Sequence, residues 1–220
     1  MMIPKVIYMC HKKLKHIEVY SQNWAKLNPE YEIKLYDNEL CENFLLEKLS
    51  QNHFDVFKFI PDGPIKADFW RVCVIYKYGG VYVDSDIEPL VPLKEYIEDD
   101  IDFATCIIRK NLYNPHFIVA NKDNNFIKLC VEKYLEYYNT KKEYSYDNYS
   151  IVNIFSEIFT HDFSCEGIYN VGNSKYQLLQ NIYENGEINE YSKYNNKRVF
   201  NNRYATYNPK NHIFWDEKIV

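Results

Sequence analysis

The sequence predicts an α/β fold in which helices flank a sheet. Three observations predict it. Strand-like and helix-like segments alternate through the first half of the chain. The runs Val6-Ile7-Tyr8-Met9 and Val81-Tyr82-Val83 have the short, continuous apolar pattern of buried strands. The 220 residues, 46% hydrophobic and 17% aromatic, form a globular composition with enough length for one domain with a full core, or at most two small ones.

The elements follow in order. Val6-Ile7-Tyr8-Met9 is the first strand. Ile17, Tyr20, Trp24 and Leu27 recur at helical spacing over residues 16–27, and Asn28-Pro29 ends that helix. Tyr31, Ile33 and Leu35 alternate with Glu32, Lys34 and Tyr36, the period of a second strand. Residues 38–59 read as two short helices. Pro61-Asp62-Gly63-Pro64 breaks the pattern, and Pro64 suits the first position of a new helix. Ile65, Phe69, Val72, Cys73 and Tyr76 share one face of it. Gly79-Gly80 then turns the backbone tightly into residues 81–83. Residues 103–108 read as a strand, 126–138 and 151–159 as helices. Residues 139–149 and 184–203, rich in Asn, Lys, Tyr and Glu, read as loops or poorly packed surface.

Bulk properties exclude several classes. A net charge of −5 and a pI near 5.7 oppose nucleic-acid binding and a polybasic membrane anchor. Cysteines 10, 41, 73, 106, 130 and 165 form no C-x-x-C pair, so no zinc or thioredoxin signature follows, and free, mostly buried thiols are expected. Met1-Met2-Ile3-Pro4 opens no signal-peptide pattern, and no apolar run approaches the ~20 residues of a membrane span. A cytoplasmic protein without a membrane span is the expectation.

Chemistry concentrates between Lys66 and Leu90. Asp84 and Asp86 stand two apart at the end of the apolar run 81–83. On an extended segment that period puts both carboxylates on one side. Two such acids at a strand's carboxyl end can hold Mg2+ or Mn2+, which take oxygen ligands and keep positions open for phosphates. An isolated Asp-x-Asp is more often a solvated turn. Here Pro89 stops the sheet, and Asp68 and Arg71 lie i, i+3 in the first turns of the helix just upstream, where exposed N–H groups favour an anionic ligand. Arg71 suits a phosphate or sugar hydroxyl, and Asp68 a hydroxyl. The competing reading of that pair is an exposed intrahelical ion pair, worth about 0.3–0.5 kcal/mol.

Taken together, Ala67-Asp68-x-x-Arg71 and Tyr78-Gly79-Gly80-Val81-Tyr82-Val83-Asp84-Ser85-Asp86 resemble the signature of the DXD-containing sugar-transferase family. That family includes outer-chain α-1,6-mannosyltransferases and bacterial capsular enzymes, and its core is similar to that of the large clostridial glucosylating toxins. Ile3-Pro4-Lys5-Val6-Ile7 and Trp24-x-x-x-Asn28-Pro29-x-Tyr31 resemble the family's opening. The resemblance is clear over residues 3–90 and loose over 102–138.

It implies a single GT-A domain over residues 1–220, a Rossmann-like mixed sheet flanked by helices. Residues 1–100 would form the nucleotide-sugar and metal half and 101–220 the acceptor half. By similarity Asp86 is the direct metal ligand, and Asp84 contacts the metal or its water and the ribose. Asp68 and Arg71 bind the transferred sugar and the phosphate side of the donor. Ala67, Tyr82 and Ser85 line the donor pocket. Two places depart from the family pattern. Where it has His and then an aromatic, often Trp, this chain has Tyr8 and His11, and an imidazole offers less stacking area than an indole. The C-terminal stretch reads Asn211-His212-Ile213-Phe214-Trp215-Asp216. There His212 or Asp216 is a third metal ligand, or the tail only docks Phe214 and Trp215.

The implied activity is metal-dependent, retaining transfer of a hexosyl group. The donor is a UDP- or GDP-linked sugar, and the acceptor a glycan, lipid-linked or protein group, with Mn2+ or Mg2+ as cofactor. The alternatives are a catalytically degenerate sugar- or nucleotide-binding domain and another metal-dependent enzyme of phosphate chemistry.

Overall fold

The computed structural model describes residues 3–141, 143–159, 161–184 and 189–202. The first half carries β1 (Val6–Cys10), α1 (Glu18–Leu27), β2 (Glu32–Tyr36), α2 (Asn38–Lys48), α3 (Gln51–Phe59), α4 (Gly63–Tyr78), β3 (Gly80–Val83) and β4 (Glu88–Pro89). The second half carries β5 (Phe103–Arg109), β6 (Leu112–Ala120), α5 (Asn125–Lys141), α6 (Tyr146–Tyr149), α7 (Ile151–Ile158), β7 (Gly167–Val171), β8 (Ser174–Glu184), β9 (Asn189–Tyr194) and β10 (Lys197–Asn201). The predicted α/β class holds.

The ten strands of the described residues join one mixed sheet, in the order β2-β1-β3-β6-β5-β8-β9-β10-β4, with β7 beside β8. β2, β1 and β3 run parallel, the arrangement that needs helical crossovers between them. β6 enters antiparallel to β3. β4 follows β3 after only residues 84–87, yet it pairs with β10 at the other end of the strand order. The sheet therefore curls until its last strand lies just past the carboxyl end of β3.

Both faces of the sheet are covered. Tyr8 and Tyr82 point toward α2, α3, α4, α5 and α7, whose buried residues form one apolar cluster. Their strand neighbours Ile7, Met9, Val81 and Val83 point the other way, onto Trp24 of α1 and onto Ile87, Leu93 and Ile101. That alternation follows from the period of two in a strand. Trp24 is a core residue, and its Nε1 donates to the Ile87 carbonyl at 3.0 Å.

Three expectations are corrected. α4 carries more than a stripe: its residues are buried from Asp68 through Ile75, so it is an interior helix and brings polar side chains inside with it. Residues 184–203 are not all loop, because β9 and β10 form a hairpin there. Asn195 and Asn196, at φ 50° and 61°, make the two-residue turn with both central residues left-handed that hairpins favour. Within 139–149, α5 extends to Lys141, and Tyr149 of α6 is fully buried against Phe59, Tyr134 and Tyr144.

The step from α4 to β3 depends on Gly79, at φ 67° and ψ −172°. A Cβ there would stand 2.5 Å from the Lys122 nitrogen and 2.9 Å from the Asn121 carbonyl carbon, both backbone atoms. Gly79→Ala is expected to destabilise the fold by about 2 kcal/mol or more. Urea unfolding checks this, and an unchanged midpoint would refute it. All six cysteines are free, and four of them are buried. Among the described residues no helix is long and apolar enough to cross a membrane.

Candidate functional site at the carboxyl end of β3

The site begins with two charges on one helix. Asp68 and Arg71 are 9% and 5% exposed, so the weak surface ion pair is excluded. Arg71 Nη2 lies 2.9 Å from Asp68 Oδ1 and 2.9 Å from Asp84 Oδ1. Its Nη1 donates to the Pro115 carbonyl at 2.6 Å, and its Nε to the Ala67 carbonyl at 3.3 Å. Nε and Nη1 thus each donate to a backbone carbonyl, and Nη2 lies between the two carboxylates. The guanidinium also packs 4.6 Å over the Tyr82 ring, whose hydroxyl donates to Asp84 Oδ1 at 2.7 Å.

Asp68 is held from a second side. Its Oδ2 accepts from Ile151 N at 3.2 Å, so the N-terminus of α7 caps the carboxylate. Burial nonetheless pushes the Asp68 carboxyl up to about 7, although Arg71 and the Ile151 N–H work against the rise. Burial raises Asp84 as well, against Arg71 and the Tyr82 hydroxyl. Burial opposes the charge on Arg71, but Asp84, Tyr82 and Asp68 outweigh it and hold the cation firmly. Two carboxylates thus share one guanidinium. When both are ionised the trio carries one net negative charge, which favours a further cation nearby.

The Asp-x-Asp segment itself departs from expectation. The ladder of β3 continues only to Asp84, whose N donates to the His116 carbonyl at 2.8 Å. The chain then turns, with Ile87 N bonded to the Asp84 carbonyl at 3.1 Å. Asp84 and Asp86 are therefore the first and third residues of a turn, not alternate residues of a strand. Asp84, Ser85 and Asp86 are all half-buried there. The donor set, two carboxylates in one turn, fits a hard divalent cation that completes its shell with water and phosphate oxygens. Among the described residues no group of three or more His, Cys, Asp or Glu surrounds such a position. His212 and Asp216 lie outside the described residues.

The remaining predicted residues divide. Ala67, Tyr82 and Ser85 adjoin the charged trio. Tyr8 is 2% exposed, faces Tyr82 across the β1–β3 ladder and packs between Tyr36 and Tyr78, so it supports the site from below and offers no open stacking face. Its hydroxyl is pushed up by burial. His11 extends β1 by one hydrogen bond to Tyr36, and its Nδ1 accepts from Lys13 N at 3.1 Å. Trp70 packs inward on Tyr36, Phe44 and Tyr82.

Sequence reasoning missed the contribution of β6. Thr105 pairs with Ile118 but Cys106 pairs with Asn114, so residues 115–117 of β6 stand opposite nothing on β5. This bulge presents three consecutive carbonyls: Pro115 to Arg71, His116 to Asp84 and Phe117 to the Thr105 hydroxyl. Pro115 ahead of the apolar run 117–120 was the available signal, since proline inside a strand marks an edge or a bulge.

Residues 15–104 match the model of the glycosyltransferase sugar-binding region containing a DXD motif. An initiation-specific α-1,6-mannosyltransferase of Candida albicans is 34% identical over 83 residues, 36% of this chain and 21% of the relative. An inositol phosphoceramide mannosyltransferase 2 of Schizosaccharomyces pombe is 32% identical over 138 residues, 56% of this chain and 39% of the relative. The chain thus spans about a fifth to two fifths of these curated relatives. The solved PaToxG glycosyltransferase superposes with a TM-score of 0.53 at 16% identity, covering 71% of this chain and 69% of that one, which shows a shared fold.

Proposed function

We propose that the chain is a glycosyltransferase of the DXD-containing kind, whose model residues 15–104 match, and that it moves a sugar from a nucleoside-diphosphate sugar to a glycan, lipid-linked or protein acceptor. The supporting observation is the buried Asp68–Arg71–Asp84 trio at the carboxyl end of β3, beside the turn that carries Asp86. The donor is UDP- or GDP-linked and the transfer is retaining. Two curated relatives named as mannosyltransferases make mannose the first sugar to test. The chain is one GT-A domain, with the donor on residues 1–100 and the acceptor on 101–220.

Asp86 and Asp84 would hold the cation, Mn2+ or Mg2+. When bound, it supplies Lewis-acid neutralisation of the charge that builds on the leaving diphosphate. The chain's own residues do the rest. Arg71 brings a fixed positive charge to the diphosphate side of the site. Asp84 and the Pro115 carbonyl hold it in place, so little reorganisation is needed as charge develops. Asp68, fixed by Arg71 and α7, accepts from a sugar hydroxyl with its remaining lone pairs. Ala67 and Ser85 border the donor pocket, and Tyr82, buried against Arg71, holds Asp84 from beneath.

The test is release of free nucleoside diphosphate from a panel of UDP- and GDP-sugars with Mn2+, repeated with EDTA. Metal-dependent release from one donor is expected. Donor binding without release would indicate a degenerate binding domain. Cleavage of other phosphate esters, with nucleotide sugars ignored, would indicate a different phosphate chemistry.

A further inference from the structure

Beyond the charged trio, the structure holds a second polar centre at the curled end of the sheet. Glu190 of β9 carries it. Asn114 donates to Glu190 Oε1 at 3.2 Å, Asn181 at 3.0 Å and Asn202 at 2.6 Å. Three strands and the residue after a fourth thus converge on one carboxylate oxygen. Asn181 and Asn202 are 2% and 5% exposed, while Glu190 is half-buried. Among the described residues no cation pairs with Glu190. A partly desolvated carboxylate that, among the described residues, is held by neutral amides is suited to a polar ligand.

Tyr183 stands opposite Glu190 in the β8–β9 register, and burial together with the charge of Glu190 pushes its hydroxyl up. It is nevertheless among the most exposed large aromatics of the chain, at 48%. A carboxylate, several amides and an open aromatic ring form the combination that recognises a sugar: planar polar groups for adjacent hydroxyls, a ring face for the C–H side.

This centre borders the β3 site from two directions. Asn114 precedes Pro115, whose carbonyl receives Arg71. Asn202 follows Asn201, which pairs with Glu88, two residues beyond Asp86. Between the two centres lies His116, 5% exposed, with its ring 5.6 Å from Phe200 and its Nε2 without a hydrogen-bond partner among the described residues. A buried polar atom left open in that position is one that a ligand can satisfy.

We propose that Tyr183 and Glu190 form the acceptor subsite, and that it takes a carbohydrate hydroxyl face, with His116 at its inner wall. The proposal rests on the glycosyltransferase reading and names the acceptor class. Saturation-transfer NMR with methyl α- and β-glycosides of mannose, glucose and galactose tests it, with thermal unfolding to confirm that each variant is folded. At least one glycoside is expected to bind the full chain. Tyr183→Ala and Glu190→Gln are expected to weaken it by about tenfold or more, the scale of one lost hydrogen bond to a charged group. Tyr183→Phe keeps the ring and retains most of the binding. Glycoside binding that is absent from the native chain, or unchanged in both Tyr183→Ala and Glu190→Gln, overturns the subsite. A separate titration of the native chain with UDP or GDP and Mn2+ reports on the donor site alone, so failure of that reading is distinguishable.

Discussion

Asp86→Asn is expected to lower nucleotide-sugar turnover by about 10²–10³-fold, the usual scale for removing one preorganised electrostatic contact from a transition state. The same change is expected to cost less stability than Asp84→Asn, because Asp84 is the acid of the turn that pairs with the buried Arg71. Asp84→Asn differs. It removes the charge that pairs with Arg71 and accepts from Tyr82, so it lowers turnover and stability together. Measuring nucleoside diphosphate release and urea midpoints for both variants separates the two acids. Full turnover in Asp86→Asn would remove the assigned cation site.

The contrast between these neighbours could not be read from the sequence. A period of two placed them as equals on a strand, but the ladder stops at Asp84 once its N–H meets the carbonyl of His116. What was legible has a local cause. The apolar run of β3, the Gly79-Gly80 step and the Pro64 start of α4 are fixed by side-chain pattern and backbone freedom within a few residues. What was missed is non-local. β6 carries a proline and a bulge whose meaning depends on Arg71, 44 residues away in the chain. β9 and β10 are polar strands that close the curl of the sheet, and their composition resembles a loop. Only Asn195-Asn196, flanked by Tyr194 and Lys197, carried a hairpin signal. The burial of Asp68 and Arg71 was hidden in the same way, because α5, α6, α7 and β6, which come later in the chain, complete the cover that β1, α2 and α3 begin around α4.

Arg71→Met is expected to cost about 3–5 kcal/mol at pH 8, the scale for breaking a buried ion pair from one side. In a chain of this length that is on the order of 10 °C in melting temperature. The methionine fills much of the volume, so the loss comes from charge: Asp68 and Asp84 remain buried with no cation between them. Burial already raises both carboxyls above their unfolded values. Without Arg71, which now opposes that rise, they go higher still. Folded Arg71→Met then binds more protons than the unfolded chain from about pH 4 up to those raised values, so its stability falls as pH rises through that window. Lowering the pH from 8 to 5 is therefore expected to narrow the gap to the native protein. Adding Asp68→Asn and Asp84→Asn is expected to recover much of the loss, since no buried charge is then left unpaired. Urea unfolding of the single and triple variants at pH 5 and pH 8 measures all of this. A loss in Arg71→Met that is small, or independent of pH, would mean that packing and not charge holds α4 against β3. The Arg71–Asp84 bridge would then have no part in positioning the acids of the turn.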